Sequence, residues 1–183
     1  MRVIAGLHKG RTLKAPTWDG LRPTSDRLRE TLFNVLAPHM RAARVMDAYA
    51  GTGALGIEAL SRGAAHVTFV ESDRRAQALV EENLGRCGIT DGYAIIRAPA
   101  GRAFETIRRM SSFTPFDIVL LDPPYDHSVE DALTGTDGLL APSGVLVIEH
   151  AKRAAVPPEV GRLVCSRHLV SGESALAFYA CRP

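Results

Sequence analysis

Asp122-Pro123-Pro124-Tyr125 follows the apolar run Asp117–Leu121. Two successive prolines stiffen a turn and remove two backbone donors, which leaves nearby carbonyls to accept. Asp122 adds a negative acceptor. Tyr125 adds an aromatic face on which a base can stack, worth ~1–3 kcal/mol in single-stranded systems. These parts suit methylation of an exocyclic amine on a planar base. Such an amine is a poor nucleophile, because its lone pair is delocalised into the ring. Acceptance of its N–H bonds by Asp122 and the Pro123 carbonyl orients it and raises its electron density. Attack on a sulfonium methyl group then carries positive charge from sulfur to nitrogen, beside a carboxylate that stabilises it. The methylated, protonated amine is strongly acidic, so no strong general base is required. The plain alternative is a stiffened turn whose tyrosine fills core.

A second constellation lies upstream. Val45-Met46-Asp47-Ala48-Tyr49-Ala50-Gly51-Thr52-Gly53-Ala54-Leu55-Gly56 puts a glycine turn between a strand and a helix, where the backbone can approach a ligand closely. Glu71, eighteen residues after Gly53, ends the next strand, where a carboxylate can accept from two ribose hydroxyls. The unit reads as an adenosine-type site. Gly51-x-Gly53-x-x-Gly56 also satisfies the dinucleotide fingerprint, so NAD competes. Asp47 argues against it, because a carboxylate before the turn suits a cationic ligand better than a pyrophosphate. More than forty residues also precede the first strand of the unit. S-adenosylmethionine (AdoMet) offers adenosine, an ammonium and a sulfonium, and is the favoured cofactor.

Elements that could position these groups follow from periodicity and turn residues. Arg2–Gly6 and Arg11–Lys14 read as a short hairpin, turned at Gly6 and Gly10. After a loop marked by Pro16, Gly20 and Pro23, Thr24 or Ser25 caps a helix with Leu28, Leu32, Val35 and Leu36 at helical spacing and Pro38 near its end. From Arg44 the pattern alternates. Strands are expected at Arg44–Ala48, His66–Val70, Tyr93–Arg97, Asp117–Leu121 and Val145–Glu149. Helices are expected at Ala54–Arg62, Asp73–Cys87, Arg102–Met110 and Val129–Leu133. Arg162–Leu169 and Ala175–Cys181 read as a final pair of strands around Ser171-Gly172. Such alternation implies an α/β fold with a mostly parallel sheet covered on both faces. The chain divides into a basic hairpin and helix over 1–44 and a catalytic domain over 45–183.

The two loops together resemble class I AdoMet-dependent amino-methyltransferases. A fuller set is closer still: Arg2-Val3-Ile4-Ala5-Gly6, Gly10-Arg11, the string Leu21-Arg22-Pro23-Thr24-Ser25-Asp26-Arg27 running on to Phe33-Asn34, Gly51–Ala64, and Val70-Glu71-Ser72-Asp73. It resembles the RsmD family of bacterial small-subunit (16S) ribosomal RNA guanine-N2 methyltransferases, over roughly residues 2–125; residues 126–183 match in pattern only. The resemblance implies a Rossmann-like sheet of seven strands with the last reversed. It implies AdoMet as methyl donor and a guanine in ribosomal RNA as acceptor. Asp122, Pro123 and Tyr125 would take the base. Asp47, Tyr49, Gly51, Gly53, Glu71, Ser72, Ala100 and Asp122 would hold the cofactor. The stretch Arg22–Arg27 would lie over the methionine end and the incoming RNA. Pro99 stands where the family often has a polar residue reaching the adenine, so adenine recognition would fall to backbone groups. Ala5 replaces a frequent glycine.

Composition narrows the partners. The net charge of +2 averages two unlike parts. Residues 1–44 carry nine Lys/Arg against three Asp/Glu, a net +6, and residues 45–183 carry thirteen against seventeen, a net −4. A basic arm on an acidic body points to a polyanion, and phosphate contacts are expected from Arg2, Lys9, Arg11, Lys14 and Arg22, while the resemblance adds Thr24 and Arg27 to the RNA-binding set. RNA affinity should then fall steeply with salt, and loss of residues 1–14 should weaken RNA binding far more than AdoMet binding. Apolar runs such as Val145–Ile148 are too short to span a bilayer, and the first residues, without a long apolar stretch, are not expected to act as a secretory signal. Cys87, Cys165 and Cys181 are widely spaced, which excludes a disulfide framework and fits a reducing cytoplasm. The six histidines show no metal-ligand spacing, and no metal is expected. A monomer acting on ribosomal RNA, bare or within an assembling small subunit, is the leading expectation. An adenine-N6 DNA methyltransferase, an NAD-binding oxidoreductase and an RNA-binding assembly factor without turnover are the competing readings.

Overall fold

A computed structural model describes residues 1–18, 25–124 and 127–182. Its strands are β1 (Arg44–Ala48), β2 (His66–Glu71), β3 (Tyr93–Arg97), β4 (Phe116–Leu121), β5 (Leu140–Ala151), β6 (Glu159–Val160), β7 (Leu163–Ser171) and β8 (Ser174–Cys181). Among the described residues these eight form one sheet in the order β3-β2-β1-β4-β5-β8-β7-β6. β1 to β5 are parallel, and β8 runs against β5. Seven strands were expected. The eighth, β6, is a two-residue pairing of Glu159–Val160 with Val164 and Leu163, too short to leave a periodic signal.

Five helices cover the sheet among the described residues: α1 (Asp26–Met40), α2 (Ala54–Ser61), α3 (Arg74–Cys87), α4 (Ala100–Arg108) and α5 (Val129–Leu133). Strand side chains alternate between two cores. Val45, Ile118, Leu120 and Val147 pack with α1, α2 and α3, while Met46, Val119, Leu121 and Ile148 pack with α4 and α5. Val3 and Leu13 of the N-terminal hairpin are buried in the first core, beside Leu32, Phe33 and Leu36 of α1. The hairpin is closed by the antiparallel bridge of Arg2 to Thr12, with backbone hydrogen bonds from Leu13 to Met1, Val3 to Arg11 and Gly10 to Val3.

Local chemistry explains the ends of these elements. Ser25 Oγ accepts from Leu28 N–H and caps α1, which runs two residues past Pro38. Gly88 closes α3 at φ +70. α4 begins at Ala100 rather than Arg102, because Pro99 serves as its N-cap and Ala100-Gly101 are already helical. β5 begins at Leu140 rather than Val145. Pro142-Ser143-Gly144 lies in an irregularity of the β4–β5 pairing, between the pairs Phe116–Leu140 and Ile118–Val145. A side chain at Gly144 would meet Leu140 at 2.8 Å, so the irregular stretch is packed tightly.

Strand order fixes where a ligand can bind. From β1 the chain steps one way to β2 and β3, then returns to place β4 on the other side of β1. The carboxyl ends of β1 and β4 therefore flank a topological switch point, the usual crevice of open α/β sheets. Ala48 is paired with Leu121 there, so the glycine loop and the Asp122-Pro123 turn leave the sheet side by side.

Candidate functional site

The glycine loop is bent by residues in the left-handed region. Gly51 (φ +55) and Gly53 (φ +75) take it readily, and Gly53 caps α2. Tyr49 takes it too, at φ +67, which is unusual for a residue with a bulky side chain. Gly56 serves packing. A Cβ there would lie 2.2 Å from Phe69 of β2, so only glycine lets α2 approach the sheet this closely.

Two carboxylates hold the loop in place. Asp47, buried on β1, accepts from Gly56 N–H at 2.8 Å through Oδ2. Glu71 Oε2 accepts from Gly51 N–H at 2.9 Å, and its Oε1 accepts from Asp73 N–H at 2.8 Å. Burial, opposed by the Gly56 hydrogen bond and helped by the neighbouring Glu71 charge, pushes the Asp47 carboxyl up to about 7. Two acids share a partly desolvated pocket with one loop, so a cation would be favoured there.

Further contacts tie this corner together. Asp73 caps α3 and accepts from Arg75, whose guanidinium holds the Asp73 carboxyl down to about 2. Arg75 also lies over the Trp18 ring, 5.0 Å from its centroid. Trp18 is thereby packed against the body, beside the Glu71 corner. Gln77 Nε2 donates to the Glu71 carbonyl at 2.7 Å. Asn83 Nδ2 donates to both the Thr52 and Lys14 carbonyls, and Asn83 Oδ1 accepts from Lys14 N–H, so one side chain joins the glycine loop to the end of the hairpin.

Asp122 is half-buried and Pro123 buried at the end of β4, with Asp122 N–H directed at the Ala48 carbonyl 3.5 Å away. His127 is exposed, and its ring meets Tyr49 edge-on at 6.1 Å, which brings the segment after the double proline to the glycine loop. Tyr125 lies outside the described residues. Ser72 is exposed in the bend after Glu71. Ala100 is buried at the first position of α4, three residues beyond Arg97, the strand partner of Glu71. Its N–H belongs to the first turn, which has no acceptor within the helix. Backbone donors therefore stand where Pro99 offers none.

Of the basic residues singled out for RNA, Arg2, Lys9, Arg11 and Arg27 are exposed. Lys14 is exposed as well, but its Nζ lies 2.6 Å from Glu82. Such an exposed pair is weak and yields readily to a phosphate. Arg22 and Thr24 lie outside the described residues. Among the described residues, no group of three His, Cys, Asp or Glu side chains could hold a metal ion.

Sequence reasoning missed Asp73, Gln77, Asn83 and Glu58, which position the site rather than line it. Glu58 had a signal. It is the one charged residue of α2, and it lies fully buried, accepting from Ile4 N–H, Ala5 N–H and Arg62 Nε. A lone carboxylate in an apolar helix needs partners, and here the hairpin supplies two.

Comparison with known proteins agrees with this architecture. Residues 1–180 match the family model described as "Conserved hypothetical protein 95". YlbH of Bacillus subtilis is 38% identical over 185 residues, covering 100% of both chains. Ribosomal RNA small subunit methyltransferase D of Escherichia coli (strain K12) is 36% identical over 182 residues, covering 98% of this chain and 89% of the relative. The solved structure of YhhF from Escherichia coli superimposes with a TM-score of 0.83 at 34% identity, covering 100% of this chain and 98% of the other. These matches span essentially the full chain, with its mostly parallel sheet and reversed C-terminal strand, and it belongs to the RsmD family of class I methyltransferases.

Proposed function

We propose that this enzyme transfers the methyl group of AdoMet to the exocyclic N2 amine of a guanine in small-subunit (16S) ribosomal RNA. One observation carries the reading: the adjoining ends of β1 and β4 bring an acidic glycine-loop pocket beside the Asp122-Pro123 turn. AdoMet supplies an electrophilic methyl group on a positively charged sulfur. The pocket fits such a donor, because Asp47 and Glu71 lie close enough for the charge of one to raise the carboxyl of the other. Glu71 keeps lone pairs for ribose hydroxyls on both oxygens. Asp47 stands under the loop to stabilise the cationic end. The first-turn N–H of α4 at Ala100, just past the end of β3, serves the adenine edge.

On the acceptor side, Asp122 and the Pro123 carbonyl accept the two N–H bonds of the amine, and Tyr125 stacks on the guanine. Positive charge that develops on nitrogen is met by the Asp122 carboxylate. The extra proton then passes to Asp122 or to water, since the protonated N-methyl amine is strongly acidic. The names of the RNA-modifying relatives, in particular Ribosomal RNA small subunit methyltransferase D, support ribosomal RNA over DNA as substrate.

The test is transfer of label from AdoMet to bare small-subunit RNA or to subunits lacking the modification. Asp122→Ala is expected to lower the transfer rate by a factor of about 100 or more, with AdoMet affinity nearly unchanged. Wild-type activity in that variant would remove Asp122 from the reaction.

A further inference from the structure

The turn Gly6–Gly10 is fastened to α2 at the end away from the glycine loop. Leu7 N–H donates to the Ser61 carbonyl at 2.7 Å, and His8 N–H donates to Ser61 Oγ at 2.9 Å. Ser61 Oγ donates in turn to the Ala5 carbonyl at 2.5 Å. Ile4 and Ala5 donate their N–H groups to Glu58 at 2.7 and 3.0 Å. Gly6 takes φ +83, and a Cβ there would come within 1.8 Å of the Ser61 carbonyl oxygen. The turn and the residues leading into it, Ile4 and Ala5, are thus pressed on the helix and held by five hydrogen bonds.

This fixed backbone presents the side chain of Leu7 to solvent, 84% exposed. Around it the chain is basic. Arg2, Lys9 and Arg11 are all exposed, and none makes an ion pair among the described residues. The carboxylate that the turn touches, Glu58, is buried and already engaged by Arg62. A rigid apolar tip on a hairpin that carries exposed, unpaired cations at positions 2, 9 and 11 matches the needs of a nucleic acid that offers phosphates and an unstacked base together. A protein surface of opposite charge would gain from the cations but would leave the preorganised leucine without a specific role.

We propose that Leu7 is an apolar anchor that packs against an unstacked nucleotide of the substrate RNA, at a second contact apart from the methylated base. This rests on the ribosomal RNA reading above. α2 separates the tip from the glycine loop by about 12 Å, given eight residues at helical rise. One nucleotide cannot occupy both places, so the anchor reads RNA structure around the target. Pre-formed loops pay little ordering entropy on binding, which is where the five hydrogen bonds matter.

The experiment uses the full chain and steady-state methyl transfer to small-subunit RNA. Leu7→Ala is expected to raise KM for RNA about tenfold, with kcat, AdoMet affinity and Tm unchanged. Leu7→Met should restore most of the loss. The salt dependence separates the anchor from its cations. The slope of log K against log salt should stay the same in Leu7→Ala but fall by about one in Lys9→Ala or Arg11→Ala. A photo-crosslinking residue at position 7 should attach to RNA on assembled subunits. A wild-type KM in Leu7→Ala, or crosslinks to protein alone, would overturn the proposal. Lack of transfer by the wild-type enzyme to any ribosomal RNA substrate would instead sink the functional reading beneath it.

Discussion

Asp47 is the residue whose state most depends on what fills the site. Its Oδ2 is occupied by Gly56 N–H, and among the described residues its other oxygen takes no hydrogen bond. Burial raises its carboxyl above the unfolded value to about 7, with Glu71 adding to the rise. A raised carboxyl binds its proton more tightly in the folded chain. Its contribution to stability is therefore present at low pH and is lost as pH rises through about 7. A cationic cofactor reverses the preference, because it needs Asp47 ionised. AdoMet affinity should fall by roughly a factor of ten per pH unit below about 7 and level off above it. Trp18, the one tryptophan of the chain, packs on Arg75 beside Asp73 and offers a fluorescence readout for that titration. Asp47→Asn should flatten the profile as well as weaken binding. An unchanged pH profile in that variant would assign the dependence elsewhere.

At the scale of elements, the glycine fingerprint divides into separate tasks. Gly51 and Gly53 serve the turn of the loop, whereas Gly56 serves the contact of α2 with β2. The Gly56→Ala variant tests this division. Its new methyl group would fall 2.2 Å from a fully buried Phe69 ring, so the helix or the ring must shift. Overpacking of this kind costs about 1–3 kcal/mol, to be seen as a lower Tm in thermal unfolding. At saturating AdoMet the residual folded enzyme should keep most of its kcat, because Gly56 touches the cofactor pocket only through Asp47. A loss of kcat with unchanged Tm would mean that the third glycine acts on the ligand directly. The dinucleotide fingerprint was matched in this chain for that reason: close helix–sheet packing is a demand shared by nucleotide sites of different chemistry.

At the scale of the molecule, the basic hairpin is joined to the body it was set against on charge alone. Val3 and Leu13 lie in the same core as α1 and α2, and Glu58 depends on the hairpin for two of its donors. Removing residues 1–14 would open that core and strand a buried carboxylate, so stability and AdoMet binding should fall together with RNA binding. The expectation that a deletion would spare AdoMet binding overlooks this packing. Charge reversal isolates the electrostatics. Arg2→Glu, Lys9→Glu and Arg11→Glu combined should weaken RNA binding by about 100-fold or more at low salt, while AdoMet affinity and Tm hold. Isothermal titration with each ligand would check both halves, and equal losses for the two ligands would make the surface charge structural.

Short-range pattern was enough to read most of the fold. Arg44–Ala48, Tyr93–Arg97 and Val129–Leu133 end where alternation and turn residues predict. Period and capping act within a few residues, so they are written locally. The irregular start of β5 and the two-residue β6 were not legible, because pairing with a neighbouring strand decides them. The site divides in the same way. Asp47, Glu71 and Asp122 stand out as residue types at strand ends, and the chain alone locates them. Asp73 and Gly56, close along the chain, hold part of this corner, but much of what ties it together lies far away. Glu58 meets Ile4 across 54 positions, Asn83 meets Lys14 across 69, and Glu71 meets Gly51 across 20. A buried polar group must find a partner, yet nothing local names which one. Sequence thus determined the chemical groups and the strand ends that carry them; only the sheet order, with β4 returned beside β1, decided that the glycine loop and the Asp122 turn leave the sheet side by side.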